Sequence, residues 1–330
     1  MSGTVLVTGG AGFVGHHLVN KLLNRGDRVR VMVRASTDTR LLDGLEVELC
    51  HGDLTDHESL RQAVRGCRRV FHCAADYRLW TRDPSQLYVA NVQGTHQLFE
   101  ACLAQGVEKV VYTSSVATIG IPADGTPGDE ETRVGRQHMI GHYKRSKYDA
   151  EQVAFHFARR GLPIVIVNPS TPVGPGDAKP TATGRIITDF LTGRMPAYVD
   201  TGLNLVAVED VAEGHLLAEQ RGVNGRHYIL GNQNLSLRQI LELLGELTGR
   251  AAPRVRIPQL VAELIGHLDT FVRGKLFGVE PRVPIEGVKM ARKKMYFDSA
   301  RAATELGFEP TPVREALARA VDWFGSQGYV

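Results

Sequence analysis

The chain reads as an α/β protein: a doubly wound parallel sheet that carries a smaller α/β region formed by C-terminal insertions. Three observations predict this. Up to Pro172 short apolar runs alternate with segments of helical spacing, the pattern of a parallel sheet covered on both faces. A glycine-rich turn, Thr8-Gly9-Gly10-Ala11-Gly12-Phe13-Val14-Gly15, joins the first apolar run to the first helical segment. Beyond Pro172 the texture changes to loops rich in Pro and Gly.

In chain order, strands are expected near Val5–Val7, Val29–Val33, Glu46–Leu49, Val70–Cys73, Val110–Ser114 and Pro163–Asn168. Helices between them fall near Gly12–Asn24, Glu58–Val64, Gln86–Gln105 and Tyr143–Arg160. Leu205–Val208 and His227–Leu230 read as strands that return to the main sheet. The core is therefore residues 1–172 with return segments in 205–231, and residues 173–204 and 232–330 make the smaller region. Late helices carry explicit start signals. Ser236 with Gln239 is a capping box ahead of Ile240-Leu241-Glu242-Leu243-Leu244. Thr311-Pro312 sets a cap before Val313–Phe324, and Gly307 ends the helix that starts after Asp298. The apolar stretch Leu260–Phe277 contains Glu263, His267, Asp269, Arg273 and Lys275, so it reads as a helix or lid and not as a membrane span.

The turn has the strand-before, helix-after context of a dinucleotide site. Gly9 permits the tight turn, Gly12 lets the backbone approach a pyrophosphate, and Gly15 lets the helix pack on the strand. The amides of Phe13 and Val14 then stand at a helix N-terminus, where phosphate binds. The core is thus of Rossmann type. Tyr143 and Lys147, four apart on a helix, share one face. A dinucleotide site followed by a Tyr–Lys pair is what hydride transfer at a carbon–oxygen bond requires, because the proton left behind needs a base near the hydroxyl. A phenol with a reference pKa of about 10 must shift by roughly three units, about 4 kcal/mol, to act near neutrality. An ammonium at about 5 Å with an effective dielectric near 20 supplies about 3 kcal/mol, so Lys147 is expected to provide most of the shift.

Further segments carry a resemblance along nearly the whole chain: Gly52-Asp53-Leu54-Thr55-Asp56, Phe71-His72-Cys73-Ala74-Ala75, Asn91-Val92-Gln93-Gly94-Thr95, Val111-Tyr112-Thr113-Ser114-Ser115 and Asn168-Pro169-Ser170-Thr171-Pro172. With the turn and the Tyr–Lys pair, they resemble the extended short-chain dehydrogenase/reductase superfamily. Within it, Asp76-Tyr77-Arg78-Leu79-Trp80, Tyr143 to Lys147, Lys179-Pro180-Thr181 and Ala291-Arg292-Lys293-Lys294-Met295 look most like the hopanoid-associated sugar epimerases, relatives of dihydroflavonol 4-reductase.

The resemblance implies that Asp53, with Leu54, reads the adenine, that Ala74, Ala75, Pro169 and Ser170 line the cofactor, and that Lys147 holds the nicotinamide ribose. It also makes Ser115 the donor to the substrate oxygen. Ser114 is the competing candidate and takes a structural role. Tyr77 and Trp80 are either substrate wall or ordinary packing. Relatives often carry His in a VHVxD segment; this chain reads Val206-Ala207-Val208-Glu209-Asp210, so any role of that side chain is absent.

The second strand ends Val29-Arg30-Val31-Met32-Val33-Arg34 and offers no carboxylate for a ribose 2′-hydroxyl. Arg34 can grip a 2′-phosphate bidentately, with Ser36 adding a donor, so NADP(H) is the preferred cofactor and NAD(H) the alternative. The other reading of Arg34 is a guanidinium stacked on adenine.

With 330 residues and 43% hydrophobic composition, the chain can bury one large or two small cores. A net charge of +3 does not argue for nucleic acid. Cys50, Cys67, Cys73 and Cys102 lack C-x-x-C spacing, which suits reduced thiols in a cytoplasmic protein. The N-terminus reads as a strand, not as a secretory signal. Twelve scattered His without H-E-x-x-H spacing argue against a metal site. His16 and His17 lie where one could touch a phosphate or stay on the surface. Apolar residues beyond one stripe on the helices Gln86–Gln105 and Tyr143–Arg160, namely Leu98, Phe99, Leu103, Val153 and Phe157, point to a homodimer, as the resemblance implies. Three functional readings follow: a hydride-cycling sugar epimerase, a net ketone or aldehyde reductase acting on a small molecule, and a non-catalytic dinucleotide sensor.

Overall fold

The computed structural model of the protein describes residues 3–330. Its strands are β1 (Thr4–Thr8), β2 (Val29–Val33), β3 (Glu48–His51), β4 (Cys67–His72), β5 (Lys109–Thr113), β6 (Ile164–Pro169), β7 (Thr171–Val173), β8 (Ala197–Val199), β9 (Gly202–Ala207), β10 (His227–Leu230), β11 (Gln233–Ser236) and β12 (Val255–Ile257). Helices α1 (Phe13–Asn24), α2 (His57–Val64), α3 (Ser85–Tyr88), α4 (Gly94–Ala104) and α5 (Gly141–Arg159) belong to the first half. Helices α6 (Ala182–Leu191), α7 (Val208–Arg221), α8 (Leu237–Thr248), α9 (Gln259–Asp269), α10 (Ile285–Met290) and α11 (Val313–Ser326) follow.

The main sheet has seven parallel strands in the order β10-β6-β5-β4-β1-β2-β3. The chain winds outward from β1 to β3, then returns to β4 and winds the other way. The order therefore reverses beside β1, and a ligand crevice is expected at the carboxyl ends of the strands there. Successive side chains alternate between two cores. Val5 and Val7 of β1 pack with Leu18 and Leu22 of α1 and Val211 of α7, whereas Leu6 faces Leu60 of α2, Phe99 of α4 and Phe157 of α5. A third core gathers α6, α8 and α11 around Leu205, Ile240, Leu244 and Leu317.

Several expectations are corrected. β9 does not return to the main sheet: it pairs parallel with β7 and antiparallel with β11 in a separate three-stranded sheet, and Val208 already begins α7. The cause is a polar clamp, in which Asn204 accepts from the Asn232 backbone at 2.9 Å and donates to Asn234 at 2.8 Å, turning β9 toward β11. β10 alone makes the return. Thr311 does not cap α11; its hydroxyl and amide bond Asp210 at 2.9 and 2.6 Å, and Pro312 takes the capping position. Leu98, Phe99 and Phe157, expected to be left over for a partner, are fully buried within the chain. The expected helix Gln86–Gln105 is interrupted by a π-turn over Val89–Gln93. The capping box at Ser236 and the left-handed Gly307 (φ +71°) are as expected.

An ion-pair ring at the opposite end of the sheet was not legible from spacing. Arg25 and Arg69 each contact both Asp27 and Glu219, at 2.6 to 2.8 Å, joining the end of α1, β4 and α7. Both carboxylates are nearly buried, 7% and 8% exposed, so neither is well solvated without its arginines. Arg69→Met is expected to cost about 2 kcal/mol, between the costs of exposed and buried pairs. Arg238→Met, which removes an exposed pair with Glu242, should cost under about 0.5 kcal/mol. Urea denaturation of the two variants checks this; equal costs would remove the ring from the account of stability.

Candidate active site

The glycine turn lies at the carboxyl end of β1, at the reversal of strand order. Gly9 has φ +73°, and a Cβ there would stand 2.7 Å from the Ala74 backbone nitrogen. A Cβ on Gly15 would run into the Gly9 carbonyl, so this residue sets the close approach of α1 to the turn. Gly12 differs: a Cβ there would meet only its own turn, Gly9 O at 3.2 Å. It caps α1 with extended backbone and no side-chain cap, and no acidic residue occupies the first turn. The first amides of α1, including Phe13 and Val14, thus have no intrahelical acceptor and present the positive end of the helix to the crevice.

His16 and His17 do not serve that crevice as cations. Their rings lie 4.0 Å apart, and His17 Nε2 is 2.8 Å from the Pro175 carbonyl, tying α1 to the loop after β7. Burial, followed by the neighbouring His17, holds His16 down to about 4, so it is neutral at pH 7.

Across the crevice, Ser115 and Tyr143 meet. Ser115 follows β5; its Oγ accepts from the Ala117 amide at 3.1 Å, and its hydroxyl lies beside the Tyr143 phenol. Ser114 is buried, and its hydroxyl has no hydrogen-bond partner among the described residues, so its fixed contact is the backbone bond from its amide to Val167 O at 2.8 Å. Tyr143 lies in the first turn of α5 and Lys147 one turn on, fully covered. Lys147 Nζ donates to Thr113 O at 2.9 Å and to Tyr112 Oη at 3.3 Å.

The expected pull of Lys147 on the phenol is not what this arrangement displays. Burial raises Tyr143 above its ordinary value, and the hydrogen bond from Ser115 is what opposes it. Lys147 is itself held down to about 8 by burial, with Glu151 working the other way.

Several supporting residues have no role assigned from the sequence, because they are scattered along the chain and have no spacing signature. Some (Asn91, Thr95, His72, Tyr112, Asn168) lie in segments that carry the resemblance, and others (Thr118, Glu151) have no signal at all. Buried Glu151 accepts from Thr118 Oγ1 at 3.0 Å and from Asn168 Nδ2 at 2.8 Å. Asn168 also donates to the Ser115 carbonyl at 3.0 Å, and the Thr118 hydroxyl, whose single proton is shared between Glu151 and that carbonyl, lies 2.8 Å from it, so both fix the Ser115 backbone. Asn91, carried on the π-turn, brackets the Asp76 backbone and donates to Ser146 Oγ at 3.0 Å, linking α5 to the strand end after β4. Beside Tyr112, whose ring lies 5.5 Å from that of His72, a buried chain runs from Thr95 Oγ1 to His72 Nε2 (2.9 Å) and from His72 Nδ1 to Thr8 Oγ1 (2.7 Å). Thr8 in turn accepts from the Ala74 amide at 3.3 Å.

The remaining predicted residues line the same crevice edge. Asp53 Oδ1 accepts from the Thr55 amide and hydroxyl, both at 2.8 Å, and no bond among the described residues engages its second oxygen; Leu54 is buried against Gly94. Ala74 and Ala75 follow β4 beside Gly9, and Pro169 ends β6 with Ser170 just after it, the Ser170 hydroxyl buried and without a partner among the described residues. Arg34 is exposed in a turn closed by Thr37, and its guanidinium has no partner among the described residues. These features, an open glycine before a bare helix start, a free carboxylate oxygen and a free guanidinium, fit a dinucleotide. Trp80 is taken up by packing, since Gly274 lies on its indole, whereas Tyr77 is 53% exposed and faces Asp177. Burial pushes Asp177 up to about 6, against its bonds to the Thr181 amide and hydroxyl.

A family model described as NAD dependent epimerase/dehydratase family matches residues 5–231. A Synechocystis sp. protein named for dihydroflavonol 4-reductase is 47% identical over 100% of this chain and 97% of its own length. Sterol demethylase protein B of Methylococcus capsulatus is 38% identical over 99% of this chain and 100% of its own. Among solved structures, a nucleoside-diphosphate-sugar epimerase from Pseudomonas aeruginosa superposes with a TM-score of 0.82 at 28% identity, covering 99% of this chain and 98% of that one.

The three glycines give a direct test of the turn. Gly15→Ala is expected to cost at least about 3 kcal/mol in urea denaturation, because backbone must move, and Gly12→Ala only about 1 kcal/mol, the loss of a tolerant cap. Similar costs at both positions would contradict the geometry.

Proposed function

The chain belongs to the NAD dependent epimerase/dehydratase family, and we propose that it is an NADP(H)-preferring oxidoreductase acting on a secondary alcohol or ketone of a ring-bearing small molecule. The observation that carries this reading is the Ser115 hydroxyl set beside the Tyr143 phenol, with the buried Lys147 one turn further along α5, opposite the bare start of α1. The bound dinucleotide supplies or accepts the hydride. In the reducing direction Tyr143 donates its phenolic proton to the substrate oxygen, while Ser115 donates a hydrogen bond to the same oxygen as charge develops there. In the oxidising direction Tyr143 takes the hydroxyl proton. Glu151, Asn168 and Thr118 hold the Ser115 backbone, and Lys147 holds α5 against β5 and the ribose in reach. A non-catalytic sensor has no use for this pairing.

Net reduction is favoured over internal epimerisation by the second strand end. The Arg34 guanidinium has no partner there among the described residues, and the carboxylate nearest in sequence, Asp38, is paired with Arg40 at 2.7 Å. The sterol- and flavonol-named relatives support a ring-bearing substrate, and the sugar-epimerase neighbour supports the second reading, hydride cycling on a sugar-like one. The four cysteines are free thiols, which suits a reducing, cytoplasmic setting. The homodimer through α4 and α5 now rests on Leu103 and Val153, which stay partly exposed.

Two experiments test this reading. Tyr143→Phe should lower turnover at least about a hundredfold with dinucleotide affinity retained; activity within about threefold of the parent removes Tyr143 from the chemistry. Arg34→Ala should weaken NADPH binding about tenfold or more and leave NADH within about twofold, in fluorescence titrations of the two. Unchanged NADPH affinity would favour NAD(H) and the cycling epimerase.

A further inference from the structure

The strap from Gln259 to Phe277, α9 continued by a π-turn over Thr270–Leu276, is built inside out. An ordinary amphipathic helix turns its large apolar side chains to the core. Here the buried positions are small: Ala262, Gly266 and Gly274. A Cβ on Gly266 would meet Val288 at 3.0 Å and one on Gly274 the Trp80 indole at 3.1 Å, so this narrow face is the one that packs. The large residues point outward, with Leu260 78%, Leu264 61%, Leu268 57%, Leu276 63% and Phe277 69% exposed, joined by Phe271. Leu260, Leu264, Leu268 and Phe271 are spaced three to four residues apart and make one stripe, and Leu276 and Phe277 extend the exposed apolar surface at the end of the π-turn.

The charge around the stripe is equally one-sided. Residues 254–294 contain nine Lys and Arg against four Asp and Glu, a net +5, while the whole chain carries +3, so the rest of the molecule is net negative. Arg254, Lys275, Arg282, Lys289, Lys293 and Lys294 are all exposed, and none makes an ion pair among the described residues. An exposed apolar stripe flanked by unpaired cations is complementary to an anionic lipid surface. A second copy is a poor match, because the same cations would face each other. No helix among the described residues is long and apolar enough to cross a membrane, so the contact is in the plane of the interface.

We infer that the outer face of the 259–277 strap docks on an anionic bilayer surface, with Leu264, Leu268 and Phe277 entering the headgroup boundary and Lys275 and Arg282 facing lipid phosphates. The strap's inner side covers Trp80, and Arg185 of α6 pairs with Glu280 at 3.1 Å, so docking places the strap between the Trp80 edge of the crevice and the lipid. The inference rests on the strap alone and holds whatever reaction the crevice performs.

Co-sedimentation of the full chain with vesicles tests it. The protein should bind phosphatidylcholine vesicles containing phosphatidylglycerol at least about tenfold more strongly than pure phosphatidylcholine vesicles. Leu264→Ser with Phe277→Ser, both at exposed positions, should lower binding to the anionic vesicles at least about tenfold, and Lys275→Glu with Arg282→Glu should abolish the preference for them. Failure of the parent to sediment with anionic vesicles overturns the inference, as does binding that the Leu264/Phe277 variant leaves unchanged. A variant that fails to sediment only because a self-associated parent has dissociated, as light scattering would reveal, assigns the face to a second copy and also overturns it.

Discussion

A single buried ammonium organises the working end of this molecule. Lys147 is covered on all sides, and a charge so placed is tolerated only with good partners. It finds the Thr113 carbonyl at the end of β5 and the Tyr112 hydroxyl, which pin α5 to the sheet one turn beyond Tyr143. The Tyr112 ring packs beside His72, and from Thr95 a polar chain runs through His72 and Thr8 to the Ala74 amide, beside the glycine turn. The base, the strand end carrying Ser115 and the start of the dinucleotide crevice are thereby parts of one hydrogen-bonded frame. His72 belongs to that frame as a neutral ring, held down to about 3 by burial and then by the charge of Lys147, so it orders the strand ends without adding a second cation.

The frame explains why the fold places chemistry where it does. Parallel strands bring the ends of β1, β4, β5 and β6 to one edge, and the reversal of order beside β1 opens that edge. Gly15 then allows α1 to start close enough for its amides to reach the crevice. The carboxylate of Glu151 is the counterweight: it raises Lys147 against the effect of burial and, through Asn168 and Thr118, also anchors the Ser115 backbone. Electrostatics and positioning are coupled through one side chain on the same helix as the base.

What was legible in the sequence is what is local. The turn, the Tyr–Lys spacing and the strand periods of the core depend on neighbours within a few residues, and each appears where its pattern puts it. The supporting shell is not local. Glu151, Asn168 and Thr118 meet only because β5, β6 and α5 are adjacent, and Asn91 points inward only because a π-turn rotates it. β9 was misplaced for the same reason: its apolar alternation is satisfied equally by the main sheet or by β7 and β11, and the deciding Asn204 clamp involves residues about thirty positions away. The strap was recognised as helical, but periodicity locates a stripe without telling which stripe faces the protein. The small residues at Ala262, Gly266 and Gly274 decide that, through contacts with Val288 and Trp80.

The central claim is that Tyr143, Ser115 and Lys147 surround the reacting end of a dinucleotide whose phosphates lie on the start of α1. A crystal structure of the protein with NADP+ tests it most directly. The account predicts the pyrophosphate over the amides of Phe13 and Val14 and the nicotinamide C4 facing a space bounded by the Tyr143 and Ser115 hydroxyls. A substrate carbon placed there could approach C4 to about 3.5 Å. A nicotinamide ring lying away from Tyr143, or phosphates bound elsewhere than at α1, would contradict it.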